Sequence, residues 1–166
     1  MKNLSYAVLL FGAVFLFSCK SQKESSTGEP SDSSFNMVFM TDIHIQPELN
    51  AVEGFRKAMD TINKLKPEFV VTGGDLIMDA LGQKQSRADS LYTLYNEEVK
   101  RLNMPLHNTI GNHELFGVYA QSGIDTTDAL YANKMFQKRI GNSFYAFTHK
   151  NWKFFVLDDI IATKDR

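Results

Sequence analysis

Apolar positions along the chain follow two periodicities that alternate. Phe35-Asn36-Met37-Val38-Phe39-Met40 is a short apolar run of strand type, repeated by Phe69-Val70-Val71-Thr72 and by Pro105 to Ile110. Between the first two, Val52, Phe55, Met59, Ile62 and Leu65 recur every three or four positions, the spacing of one helix face. Asn50 and Glu53 read as a cap pair, and Pro67 stops this helix. A longer helix is expected from about Gln85 to Asn103, with Leu91, Leu94, Tyr95, Val99 and Leu102 on one side; Met104-Pro105 ends it. Strands alternating with helices predict an α/β fold with a parallel sheet, whose right-handed crossovers bring all three strand ends to one edge. After a loop at 115–123 with two glycines, Thr126 or Thr127 is expected to cap a short helix carrying Leu130, Met135 and Phe136. Two strand-like runs, Ser143 to Thr148 and Trp152 to Leu157, then read as an aromatic hairpin turning at Lys150-Asn151.

The first 34 residues follow another pattern. Lys2 gives a positive start, Leu4 to Phe17 is mostly apolar but short for a membrane span, and Ser18 is small. That is a secretory signal peptide over 1–18. Leu16-Phe17-Ser18-Cys19 resembles a bacterial lipobox, which implies cleavage before Cys19 and its lipidation. Two or more acyl chains would anchor the protein stably, because each buried methylene contributes about 0.8 kcal/mol. The segment 20–34 is polar, Ser-rich and broken by Gly28 and Pro30, and reads as a disordered tether reaching roughly 20–25 Å. The expected organisation is a signal peptide at 1–18, a lipidated Cys and tether at 19–34, and one folded unit over 35–166, extracytoplasmic and lipid-anchored in a bacterial cell envelope. Cys19 is the sole cysteine, so disulfides and thiolate ligands are excluded.

Composition changes this picture little. With 43% apolar residues, 22% charged residues and a net charge of −1, the body is globular and carries no basic excess that would signal nucleic acid. Gly73-Gly74-Asp75 lacks the G-x-G-x-x-G spacing and has no Lys-Ser or Lys-Thr after it, so it is no nucleotide loop.

The chemistry sits directly after the three strands. Thr41-Asp42-Ile43-His44, Gly73-Gly74-Asp75 and Gly111-Asn112-His113-Glu114 each place carboxylate, imidazole or amide groups at a strand end. In an open α/β sheet, ligands bind beyond the carboxyl ends of the strands, and such oxygen and nitrogen donors suit divalent metals. The order D-x-H, G-D, G-N-H-E resembles the calcineurin-like metallophosphoesterase family from about Phe35 to Ile160.

That resemblance implies an αββα sandwich, represented here by its N-terminal βαβαβ half and the aromatic hairpin. It implies hydrolysis of phosphate mono- or diesters at two divalent ions bridged by a nucleophilic hydroxide. Asp75 would be the bridging ligand; Asp42 and His44 would hold one ion, Asn112 the other, and His113 would be a nearby acid. Purple acid phosphatases usually carry a Tyr three residues after the bridging Asp; Met78 stands there, which points to Mn, Fe or Zn rather than a Tyr-ligated ferric ion. The family's further His ligand and its G-H-x-H pair do not occur before Arg166. A truncated, inactive remnant or a metal-binding module is therefore the alternative, and the hairpin's apolar face and outer edge are expected to lack full partners. Glu114 reads as a cap or supporting group rather than a ligand, His107 and His149 as structural or solvent-facing, and Asp79, Asp158 and Asp159 as caps or solvated groups.

Overall fold

The computed structural model describes residues 34–162. The signal peptide, Cys19 and the tether up to residue 33 lie outside the described residues.

Strand β1 (Met37–Met40) leads through the first motif into helix α1 (Ala51–Leu65), and β2 (Phe69–Thr72) follows. Helix α2 (Gln85–Glu98) is extended by one tighter turn at Val99–Arg101, before β3 (Leu106–His107). The three strands form a parallel sheet in the order β1-β2-β3, with Met37 opposite Phe69 and Val70 opposite Leu106. This is the expected βαβαβ unit, with each strand delivering its motif to the same edge. Beyond the strands the first two motifs stay paired: His44 donates its backbone N–H to the Asp75 carbonyl at 2.9 Å, and Ile45 to that of Leu76 at 3.0 Å.

Helix α1 buries Phe55, Met59 and Ile62, as their spacing predicts, and each fully buried apolar side chain contributes about 1.5–3 kcal/mol. Leu65, expected on the same face, is exposed because it falls in the last turn beside the left-handed Lys66. Asn50 is not the expected side-chain cap. It lies in the left-handed region at φ +58° and caps through its carbonyl, which accepts the Gly54 N–H at 3.0 Å. On α2, Leu91 and Tyr95 are buried with Ala88 and Tyr92, while Leu94, Val99 and Leu102 pack against the core's margin. Strand β3 is shorter than the Pro105–Ile110 run, ending at His107 ahead of the third motif.

Helix α3 (Asn133–Arg139) starts later than expected. Asp125 engages Thr127 in a local turn, its carboxylate accepting the Thr127 N–H at 2.9 Å, so neither threonine caps the helix; Leu130 is buried in the turn before it. Strands β4 (Tyr145–His149) and β5 (Trp152–Val156) form the antiparallel hairpin, with Phe147 opposite Phe154.

The hairpin's inner face finds a partial partner: Phe147 and Phe154 stack on each other and meet Phe69 of β2 edge-on, at centroid distances of 5.6 and 5.3 Å, while both stay part-exposed. His107 lies flat against Phe147, and His149 Nε2 donates a 2.7 Å hydrogen bond to the Glu68 carboxylate. Both histidines are structural, as expected. The protein thus has a helical layer on one face of the parallel sheet and an aromatic layer beneath the hairpin on the other. Phe144, Phe155 and Leu157 remain exposed on the hairpin's outer side.

Candidate metal centre

The three strand ends bring their side chains together. One donor atom from each of His44, Asp75 and His113 lies within 4.8 Å of the others. His44 Nε2 stands 3.8 Å from Asp75 Oδ2 and 3.9 Å from Asp42 Oδ1. Both separations are too long for hydrogen bonds. They suit donors that share one ion, since each Zn–N or Zn–O bond is about 2.0–2.2 Å. The other nitrogen, His44 Nδ1, is buried without a hydrogen-bond partner. Imidazole nitrogens among carboxylate oxygens form a donor set for Zn, Mn or Fe, so the residues fit the expected kind of ion.

The backbone at these positions is unusual. Asp42, His44 and Asp75 all adopt left-handed conformations, at φ +55°, +47° and +51°. Asp and His are among the side chains that enter this region most readily, yet three at one site mark a deliberate bend. The bend needs space. Gly74, at φ +91°, passes so close to Gly111 that a β-carbon on it would come within 2.7 Å of the Gly111 Cα.

Each expected site residue has a definite place. Asp75 is half-buried, and its Oδ1 accepts the His113 backbone N–H at 3.2 Å. Asp42 is exposed, and its Oδ2 accepts the Thr41 hydroxyl at 2.7 Å. Asn112 is exposed at the head of the tight turn Asn112–Glu114 and lines a cleft of about 300 Å³ with Leu115, Tyr119 and Ile160. His113 meets His44 edge-on with ring centroids 4.6 Å apart. Its Nδ1 lies 2.5 Å from the Met78 carbonyl. A carbonyl only accepts, so this contact puts the proton on Nδ1 and leaves Nε2 to act. No sequence pattern signals that contact, because its acceptor is a backbone atom.

Behind the site lies Glu114, with no exposed surface. Its carboxylate accepts backbone N–H groups from Asp75, Leu76, Ile77 and Gly111. Burial pushes its pKa up to about 7 against the pull of these donors. None of the four partners can receive a proton, so the bonding pattern is that of the ionised carboxylate. Asp79 caps its own turn through Leu81 and Gly82, as expected.

The profile of the calcineurin-like phosphoesterases matches residues 35–162. The chain belongs to the calcineurin-like phosphoesterase family. The chain also shares its fold with a solved structure, a dimetal phosphatase from Danio rerio, at 17% identity and a TM-score of 0.53. The match covers 75% of this chain and 44% of that one, so this chain spans less than half the length of its structural neighbour. Among curated proteins no relative matches it. As a calcineurin-like phosphoesterase, the chain has the α/β fold that its sequence predicts.

Proposed function

We propose that the chain supplies the first half of a dinuclear metal centre that hydrolyses phosphate mono- or diesters. The observation that carries this is the convergence of three separate strand ends, which sets His44, Asp75 and His113 donor atoms within 4.8 Å. Asp42 and His44 would hold one ion, Asn112 the other through its side-chain oxygen, and Asp75 would bridge them, its charge offsetting part of theirs. Bound there, divalent ions would supply Lewis-acid activation of the phosphoryl group and of attacking water near neutral pH. His113, held through its Nδ1–H on the Met78 carbonyl, would protonate the leaving oxygen from Nε2 when the ring carries a second proton there, and that imidazolium would also stabilise phosphoryl charge. The half-buried Asp75 and left-handed His44 keep the donors apart from one another, ready for cations rather than collapsed into mutual hydrogen bonds.

The test is metal titration of the purified chain with Mn²⁺ and Zn²⁺, followed by hydrolysis of aryl phosphate mono- and diesters. Chelator-reversible metal binding by the purified chain is the expected result. Turnover would show that this half suffices for hydrolysis, binding without turnover would favour the metal-binding module, and no binding by the folded chain would overturn the reading.

The envelope location is proposed on the lipobox-like segment ending at Cys19. Cys19→Ala should move the protein out of the detergent phase; unchanged partitioning would count against the anchor.

A further inference from the structure

A buried carboxylate is costly unless its oxygens are satisfied, and Glu114 is satisfied entirely by backbone amides. Oε2 accepts Gly111 N–H at 2.6 Å and Asp75 N–H at 2.9 Å, while Oε1 accepts Leu76 at 2.8 Å and Ile77 at 3.1 Å. The donors come from two strand ends: three follow β2, and one follows β3. Three successive amides aimed at one anion form a concave backbone nest. Asp75 opens that nest. Its backbone is held from behind by Glu114, while its carboxylate faces His44 and takes the His113 amide in front.

We propose that Glu114 is the positioning residue of the metal centre: by gathering these four amides it fixes left-handed Asp75 between His44 and His113, and so sets the donor spacing that an ion requires. This rests on the metal reading above. Glu114 itself touches no ion, because both of its oxygens are committed to amides. Groups that orient a ligand in this way typically change metal affinity by about 10–100-fold when replaced.

The experiment compares Zn²⁺ and Mn²⁺ affinity by calorimetry in the full chain, its Glu114→Gln variant and Tyr92→Phe. Glutamine keeps one acceptor and turns an NH₂ group towards the remaining amides. The expected result is a 10–100-fold loss of affinity, with faster hydrogen exchange at residues 75–77 and 111 in the metal-free protein. Tyr92→Phe is the structural control. The Tyr92 hydroxyl donates to the Glu114 carbonyl at 2.7 Å, so its loss lowers stability while affinity stays as in the wild type. Should Glu114→Gln not fold, Glu114→Asp replaces it: the shortened carboxylate reaches fewer amides, and a loss of tenfold or more is expected. Wild-type affinity in whichever variant folds, or an equal loss in Tyr92→Phe, overturns the inference alone. A folded wild type that binds neither ion overturns the metal reading and the inference together.

Discussion

A β-carbon on Gly111 would stand 2.3 Å from both the backbone nitrogen and Oδ1 of Asp75. No side chain fits there, and neither atom is free to withdraw: the nitrogen is bonded to Glu114 and Oδ1 to the His113 amide. Gly111→Ala should therefore displace Asp75. The expected outcome is a loss of about 1–3 kcal/mol in unfolding free energy, as for an overpacked interior, together with loss of metal binding. Denaturant unfolding and metal titration of the variant check both parts.

Asp75→Asn and His113→Ala should separate binding from turnover. Removing the Asp75 charge should cost metal affinity and activity together. His113→Ala should keep most of the metal and lose turnover by roughly 10²–10⁴-fold, the range of a positioned acid. Metal content measured beside the rate decides the matter: metal lost from His113→Ala, with activity per ion preserved, would make His113 a ligand.

The hairpin's attachment should weaken in acid. Burial holds the His107 pKa below its ordinary 6.5, with the positive field of His149 adding to the shift. A depressed pKa means that folding favours neutral His107, stacked 3.5 Å from Phe147. Its contribution is complete above pH 6.5 and is lost as pH falls through the lower folded value. Glu68, whose pKa is lowered chiefly by its hydrogen bond from Lys150, adds a second loss below 4.5. Trp152 is the sole tryptophan and lies on β5, so its fluorescence during thermal unfolding reports this part of the fold. A His107→Phe variant should show a flatter dependence between about pH 6.5 and 5. An unchanged slope would assign the effect elsewhere.

Self-association should follow the hairpin's outer side, where Phe144, Phe155 and Leu157 are 68%, 67% and 70% exposed. Phe155→Lys with Leu157→Glu should reduce light scattering at high concentration and leave the melting temperature nearly unchanged, because both side chains are largely exposed. Scattering that persists in the double variant would place the sticky surface elsewhere.

Most of the fold was legible in the sequence because its elements are strongly periodic. Phe55, Met59 and Ile62 announce α1, and the runs at Met37–Met40 and Phe69–Thr72 announce two parallel strands. The three motifs were legible for the same reason, since each begins where an apolar run stops. Less legible were features made by backbone atoms. The Met78 carbonyl that orients His113, and the Asn50 carbonyl that replaces its side chain as a cap, leave no trace in residue type. The hairpin's seat was missed because stacking of Phe147 between His107 and Phe154 depends on how the chain returns over the sheet, which periodicity does not encode. Glu114 was readable as a supporting group, but its reach to four amides on two strand ends was not.

The left-handed backbone at Asp42, His44 and Asp75 also bears on how such a chain changes over generations. Each of these residues holds a conformation that costs of order 1 kcal/mol or more for a side chain other than glycine. Replacement by glycine, or by asparagine at His44, would relax the bend while removing a donor. A lineage in which metal chemistry no longer affects survival would thus be drawn to exchange these three positions before the surrounding core. In such a lineage the earliest substitutions would fall at the proposed ligands themselves, and the bend would relax as the chemistry was lost.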